Sequence, residues 1–237
     1  MKTLSIIIPA YNEETHIVEM LDELLREDLN NPFSLVEVVV VDDGSEDCTR
    51  SVVEDYSLKD NRVRCECYGE NRGKGAAVAH GIKNTEGDYK IFLDADGSTH
   101  VDSITEILNN LHKEGADIVI GSRAKSSGGK IFVAQSKDRT KLGGFGKKMI
   151  KHVLKMPIED TQCGCKVFKK EIADELFDDL KVKGWMFDCE VLYKAHKRGY
   201  ETKELGVAWS DKDNSKVKLS SYPRSFIDLI RIKIFNM

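Results

Sequence analysis

No run of apolar residues in this 237-residue chain approaches the roughly 20 that a membrane-spanning helix needs. The opening MKTLSIIIPAYNEE holds too short an apolar core for a signal peptide and fits a first strand better. The six cysteines include no CxxC pair; Cys65-x-Cys67 and Cys163-x-Cys165 stand at strand spacing instead. That pattern argues against a zinc site and reads as reduced thiols in a cytosolic chain. A GxxxxGK[ST] phosphate loop is missing as well. So is a strong positive balance: the formal net charge is −4, which argues against a dedicated nucleic-acid binder. What remains, 41% hydrophobic and 32% charged, suits one sizeable α/β domain, with or without an appended lobe.

The first half alternates strand and helix patterns. Leu4–Ile8 reads as a strand ended by Pro9, and Glu13–Arg26 as a helix with Ile17, Met20, Leu21, Leu24 and Leu25 on one face. Val36–Val41 is nearly continuous and β-branched, as expected of a strand buried on both faces. Further strands are expected at Arg62–Cys67, Tyr89–Leu93 and Ala116–Ile120. Between them lie helices to about Leu58, to about Lys83, and over Asp102–Glu114 with Asp102 as N-cap. Such alternation implies a mostly parallel sheet. In the second half a strand is expected near Cys165–Lys169, helices at Glu171–Phe177 and Asp188–Arg198, and a last strand over Glu201–Ser210.

Ligands bind parallel α/β sheets at the carboxyl ends of the strands. Three strand ends here carry chemistry: Pro9-Ala10-Tyr11-Asn12-Glu13, Asp42-Asp43-Gly44-Ser45 and Asp94-Ala95-Asp96-Gly97. Asp94 and Asp96 repel each other where the strand leaves the core. Mg²⁺ or Mn²⁺, held by one or two carboxylates plus substrate phosphates, would offset that repulsion. The plainer reading is a solvated turn. Asp42 and Asp43 are either turn formers or acceptors for a base or ribose. In Asn71-Arg72-Gly73-Lys74-Gly75, the lysine and helix N-terminus can face phosphates. Gly73-x-Gly75-x-x-Val78, with Asp94 21 residues on, also resembles a dinucleotide fingerprint, so an NAD-dependent oxidoreductase is a distant alternative. That reading leaves the other strand ends unexplained.

Taken together, IIIPAYNEE, VVVVDDGSEDCT, NRGKGAAV, FLDADGST and GSR (Gly121–Arg123) resemble the family 2 glycosyltransferases. DTQCGCKVF (Asp160–Phe168) and GWMFDCEVLYKAHKRGY (Gly184–Tyr200) look like the dolichyl-phosphate β-glucosyltransferases, with dolichyl-phosphate mannose synthases a close second. The resemblance implies a Rossmann-like, mostly parallel nucleotide-sugar-binding sheet of the glycosyltransferase type A kind. It implies one domain over residues 1–210, with a nucleotide-sugar half (1–122) and an acceptor half (123–210), then an amphipathic segment (211–237).

The implied reaction is inverting transfer of glucose from UDP-glucose to a polyprenyl phosphate such as dolichyl phosphate. The alternative is a GDP-mannose-dependent mannosyltransferase. The implied roles are metal binding at Asp94 and Asp96, and donor binding at Pro9, Ala10, Tyr11, Glu13, Asp42 or Asp43, Lys74, Asp94 and Gln162. Asp96, Arg123 and Asp160 are the implied catalytic residues. Asp160 either acts as a base or positions the acceptor or a loop. Trp185 stacks on sugar or fills the core, and Asp188 and Glu190 serve the site or support a helix.

Known relatives carry membrane spans, and this chain starts at its first strand. Attachment to the cytoplasmic face of a membrane is therefore expected to be peripheral or lent by a membrane-anchored partner. Arg123–Lys155 has ten Lys/Arg against one acid, Asp138. Thr140–Lys155 reads as an interfacial helix, with Phe145, Met149, Ile150, Val153 and Leu154 toward acyl chains and Lys147, Lys148, Lys151 and Lys155 toward headgroups. The plainer reading packs it on the sheet. Ser220–Phe235 has the same two readings.

Overall fold

The computed structural model describes residues 1–26, 33–133, 137–212 and 222–235. Seven strands form the central sheet: β1 (Lys2–Ala10), β2 (Phe33–Asp42), β3 (Val63–Cys67), β4 (Tyr89–Leu93), β5 (Ile118–Ser122), β7 (Cys165–Lys169) and β8 (Thr202–Gly206). Their order is β3-β2-β1-β4-β7-β5-β8. A separate two-stranded sheet pairs β6 (Lys130–Val133) with β9 (Ala208–Ser210). The helices are α1 (Ile17–Arg26), α2 (Thr49–Ser57), α3 (Lys74–Lys83), α4 (Asp102–Glu114), α5 (Lys137–Leu154), α6 (Lys170–Asp178), α7 (Phe187–Arg198) and α8 (Tyr222–Phe235).

Side chains on a strand alternate between faces, and the buried residues divide accordingly. Ile6, Ile8, Val38, Val40 and Ile91 pack toward α1, α2 and α4. Ile7, Val39, Val41 and Phe92 pack toward α3, α5, α6, α7 and α8. This two-sided burial explains the unbroken apolar run in β2. The expected mostly parallel sheet is present, with one antiparallel member. β7 runs against both β4 and β5, pairing Cys165 with Leu93 and Val167 with Val119. An antiparallel strand begins where its parallel neighbours end. The chain entering β7, Asp160–Gly164, is thereby delivered to the carboxyl ends of β4 and β5.

Several boundaries differ from the sequence expectation. β1 runs through Pro9 to Ala10, because its ladder with β4 stops at Ile7 and the missing proline N–H falls beyond it. α1 begins at Ile17 rather than Glu13, whose carbonyl closes the preceding turn onto Ile17 N at 3.0 Å. β5 starts at Ile118, since Asp117 is tied into a loop by Lys169 and by Glu201 N. Asp102 is not the N-cap of α4. Val101 holds that position and makes no side-chain cap, while Asp102 sits in the first turn, where a negative charge still favours the helix dipole. The expected last strand divides at Val207, leaving β8 in the main sheet and sending β9 to β6.

The burial of α1 is directly testable. Leu21 is fully buried and Val18 is 38% exposed. Leu21→Ala is expected to lower unfolding free energy by about 2–5 kcal/mol. Val18→Ala should change it by no more than about 0.5 kcal/mol. Equal shifts in a urea titration would contradict the assigned face.

Candidate active site

The first two strand ends are laced together. Asp43 N donates to Ala10 O at 2.8 Å, Glu46 N to Asn12 Oδ1 at 2.8 Å, and Glu13 N to Thr49 Oγ1 at 2.7 Å. Pro9 and Ala10 are buried, and Tyr11 is half-buried beside them. The Glu13 carboxylate pairs with His16 Nδ1 at 2.9 Å. Asp42 and Asp43, both buried, serve different partners. Asp42 accepts from Ser45 N at 3.1 Å. Asp43 accepts from Tyr68 Oη at 2.6 Å, Arg72 N at 2.8 Å and Gly73 N at 2.9 Å. Asp43 therefore fastens the glycine-rich turn to the second strand end. Burial first, and then the Asp43 carboxylate, push the Tyr68 phenol upward. Gly73 has φ +100°, and a Cβ there would lie 2.5 Å from Lys183 O, so the turn needs glycine.

That turn aims Lys74 at the third strand end. Its Nζ lies 2.5 Å from Asp94 Oδ1. The ammonium also sits 5.6 Å from the Trp185 ring centroid and 5.8 Å from that of Phe92. Asp94 N donates to Gly164 O at 3.0 Å, and a Cβ on Gly164 would lie 2.1 Å from Asp94 Oδ2. Only glycine lets the chain entering β7 pass so close. Asp96 accepts from Ser98 N at 2.9 Å. Burial, and next the charge of Asp94, raise its pKa.

The donor set fits a divalent cation. A carboxyl raised by burial and a like neighbour gains most from an added positive charge. Among the described residues no group of three or more His, Cys, Asp or Glu side chains is set to hold a metal. Two carboxylates with open positions suit an ion that also binds phosphate oxygens.

The third part of the site is cationic. Asp160, fully buried, accepts from Arg123 Nε at 2.7 Å and Nη2 at 2.8 Å, and from Arg123 N at 3.0 Å. Lys147 Nζ stands 3.1 Å from the same carboxylate. Burial opposes the charge on Asp160, but the guanidinium and Lys147 override it and hold the carboxyl far below the usual range. Such a carboxylate is a weak proton acceptor and a firm anchor. Gln162 Nε2 donates to Trp185 O at 3.3 Å, so it sits between the Asp160 turn and the loop before α7.

Some functional neighbours escaped the sequence reading. Lys166 is fully buried, 2.6 Å from Asp188 Oδ1, and donates to Cys163 O. Its signal was a lysine inside an otherwise apolar strand. Of the two roles the sequence left open for Glu190, the contacts favour support: it holds Lys181 N and Val182 N in the loop before α7 and pairs with Lys194. Trp185 is half-buried rather than a core residue. The interfacial reading of Thr140–Lys155 needs correction. Ile150 and Leu154 are buried in the core, with Met149 and Val153 packed against it, and only Phe145 of the five stays exposed. Lys147 faces Asp160, and Lys151 pairs with Glu159. The side chains of residues 140–142 lie outside the described residues. The start of Ser220–Phe235, like residues 213–219 before it, is likewise outside them. α8 itself buries Leu229 and Ile232 but exposes Phe226, Ile227, Ile230, Ile234 and Phe235.

The family model for glycosyl transferase family 2 matches residues 5–177. A Trichomonas vaginalis dolichyl-phosphate beta-glucosyltransferase, ALG5C, is 38% identical over 97% of this chain and 70% of its own length. The Homo sapiens dolichyl-phosphate beta-glucosyltransferase is 34% identical over 98% of this chain and 75% of its own. Among solved structures, Mycobacterium tuberculosis glucosyl-3-phosphoglycerate synthase, in complex with Mn²⁺, UDP-glucose and phosphoglyceric acid, superimposes with a TM-score of 0.72. That match has 17% identity and covers 99% of this chain and 79% of that one. S. aureus TarS gives 0.67 at 21% identity, covering 100% and 65%. These likenesses establish the glycosyltransferase type A fold, and the sequence matches establish kinship: the chain belongs to glycosyl transferase family 2.

Proposed function

We propose that this enzyme transfers glucose from UDP-glucose to a polyprenyl phosphate of the dolichyl type, with inversion at the anomeric carbon. The observation that carries the reading is the Asp94–Asp96 pair at the end of β4, faced by Lys74. It accompanies 31–39% identity to curated dolichyl-phosphate beta-glucosyltransferases.

Asp94 and Asp96 would hold Mg²⁺ or Mn²⁺, which when bound supplies Lewis-acid neutralisation of the diphosphate. Lys74 exchanges part of its contact with Asp94 for phosphate oxygens as charge grows on the leaving UDP. The uridine lies along Pro9–Tyr11, with Glu13 nearby and Asp42 as acceptor for the base. Asp43 holds the loop that carries Lys74. On the acceptor side, a phosphate monoester has a second pKa near about 6 and is largely ionised at neutral pH, so no strong base is required. The depressed Asp160 accords with that. Its role is to fix Arg123 at the site, and Arg123 and Lys147 bring positive charge toward the two phosphates. Gln162 orients the loop between them.

The acceptor is a lipid, yet among the described residues no helix is long and apolar enough to cross a membrane. The exposed apolar face of α8, flanked by Arg224 and Arg231, supports peripheral binding at the cytoplasmic surface of an anionic bilayer.

The deciding assay offers UDP-glucose and GDP-mannose with dolichyl phosphate and Mg²⁺ or Mn²⁺. Glucosyl lipid is the expected product; mannosyl lipid alone would replace the donor assignment. Asp96→Ala is expected to abolish transfer while circular dichroism stays native, and full turnover in excess chelator would remove the metal role.

Asp42→Ala and Asp43→Ala are expected to part company. The first should weaken UDP binding by about 1–3 kcal/mol with little change in melting temperature. The second should lower the melting temperature, because three hydrogen bonds are lost. Matching calorimetric profiles would return both residues to a common turn role.

Ile230→Ser with Ile234→Ser should reduce sedimentation with anionic vesicles at low salt, and added salt should weaken wild-type binding. Unchanged sedimentation would remove α8 from the membrane contact.

A further inference from the structure

The two-stranded sheet is built against the usual rule for burial. β6 exposes three consecutive apolar side chains, Ile131 at 49%, Phe132 at 65% and Val133 at 51%. Ile131 stands opposite Trp209 and Val133 opposite Ser210, so the ladder bulges at Phe132 and the exposed apolar side chains reach both sides of the strand. An isolated two-stranded ribbon is marginal by itself, and exposed apolar clusters mark binding surfaces.

Its position gives the surface a purpose. The ribbon is hydrogen-bonded into the catalytic edge. Lys130 N donates to Val207 O, His100 N to Ala208 O, and Ser210 N to Ser98 O. Thr99 bridges Trp209, whose ring lies 5.5 Å from the Arg123 guanidinium. Phe132 stacks on His100 at 5.3 Å with an interplanar angle of 16°. β6 is thus linked both to the loop that follows Asp96 and to the strand that underlies Arg123. The strand and the loop that leads into it carry charges of one sign, and the nearest acid, Asp211, lies at the far end, where its N–H donates to Val133 O. From Gly121 to Val133 the chain holds Arg123, Lys125 and Lys130 and no acidic residue.

An apolar edge continuous with a cationic cluster matches a molecule with an anionic head and an apolar tail. We propose that β6 is the rest for the isoprenoid chain of the acceptor, which lies along the exposed edge made by Ile131, Phe132 and Val133 with its phosphate near Arg123. This deepens the lipid-phosphate reading and rests on it. The strand spans about 13 Å, so it meets only the isoprene units next to the phosphate. α8 packs through Leu229 and Ile232 on one face of the main sheet, whereas Trp209, the partner of Ile131, packs on the other.

The test uses the whole chain and two acceptors: a long polyprenyl phosphate in detergent micelles and a short, soluble alkyl phosphate with no isoprene unit. Ile131→Ser with Val133→Ser, both exposed, should raise KM at least tenfold for the long acceptor. KM for the short acceptor and UDP affinity should stay within twofold. Equal loss on both acceptors, or no loss on either, would overturn the proposal. So would a loss confined to vesicle-borne acceptor with full activity in micelles, which would make the bilayer the occupant. A diazirine-tagged polyprenyl phosphate supplies a readout independent of turnover. It should label Lys130–Val133 without UDP-glucose present, and labelling confined to α8 would count against β6. Wild-type labelling of β6 without any glucose transfer would instead refute the donor reading while leaving the lipid rest in place.

Discussion

Negative charge at the end of β4 is the constraint around which the site is arranged. Asp94 and Asp96 leave the core one residue apart, in a place too dry for their charges to be indifferent to each other. Positive groups converge on them by different routes. Lys74 arrives from the start of α3, fixed by a turn that Asp43 fastens. Arg123 arrives from the end of β5, fixed by Asp160. In the proposed reaction the remaining compensation would come from a divalent cation with the donor diphosphate. Asp43 and Asp160 therefore work at one remove, the first by holding the loop that bears Lys74 and the second by holding Arg123.

Much of this was legible in the sequence, because chemistry at strand ends is local. Asp42-Asp43-Gly44-Ser45 and Asp94-Ala95-Asp96-Gly97 follow apolar β-branched or aromatic runs, and runs of that kind can be located without knowing what packs on them. Which of two neighbouring acids serves a ligand was not legible. Asp43 is claimed by Tyr68, Arg72 and Gly73, contacts set by the distance between β2 and β3 rather than by its own neighbours. The basic helix α5 misled for a similar reason. Lysines and apolar residues interleave equally well in a helix that lies on lipid and in one that lies on a sheet. The α6–α8 layer decides the matter by burying Ile150 and Leu154.

Lys166 and Gly164 show a second limit. Lys166 lies in β7 and Gly164 just before it, and that strand's direction is invisible in its own pattern, since alternation reads the same forward and backward. Only after β7 is placed antiparallel between β4 and β5 does Gly164 become the point of closest approach to Asp94. Lys166 then becomes the buried partner of Asp188.

The same strand governs how the chain is made. β4 has β1 on one side, but its other edge has no partner until Cys165–Lys169 has been synthesised. At ribosomal speeds of about 5–20 residues per second, the wait lasts on the order of several seconds. During that time the edge of a short strand, apolar but for Lys90, stands open to any passing chain. The first four strands are therefore not a unit that can be released early. The sheet closes only when a strand from the second half of the chain threads its middle, so the end of β4 and the Asp160–Gly164 turn beside it take shape together.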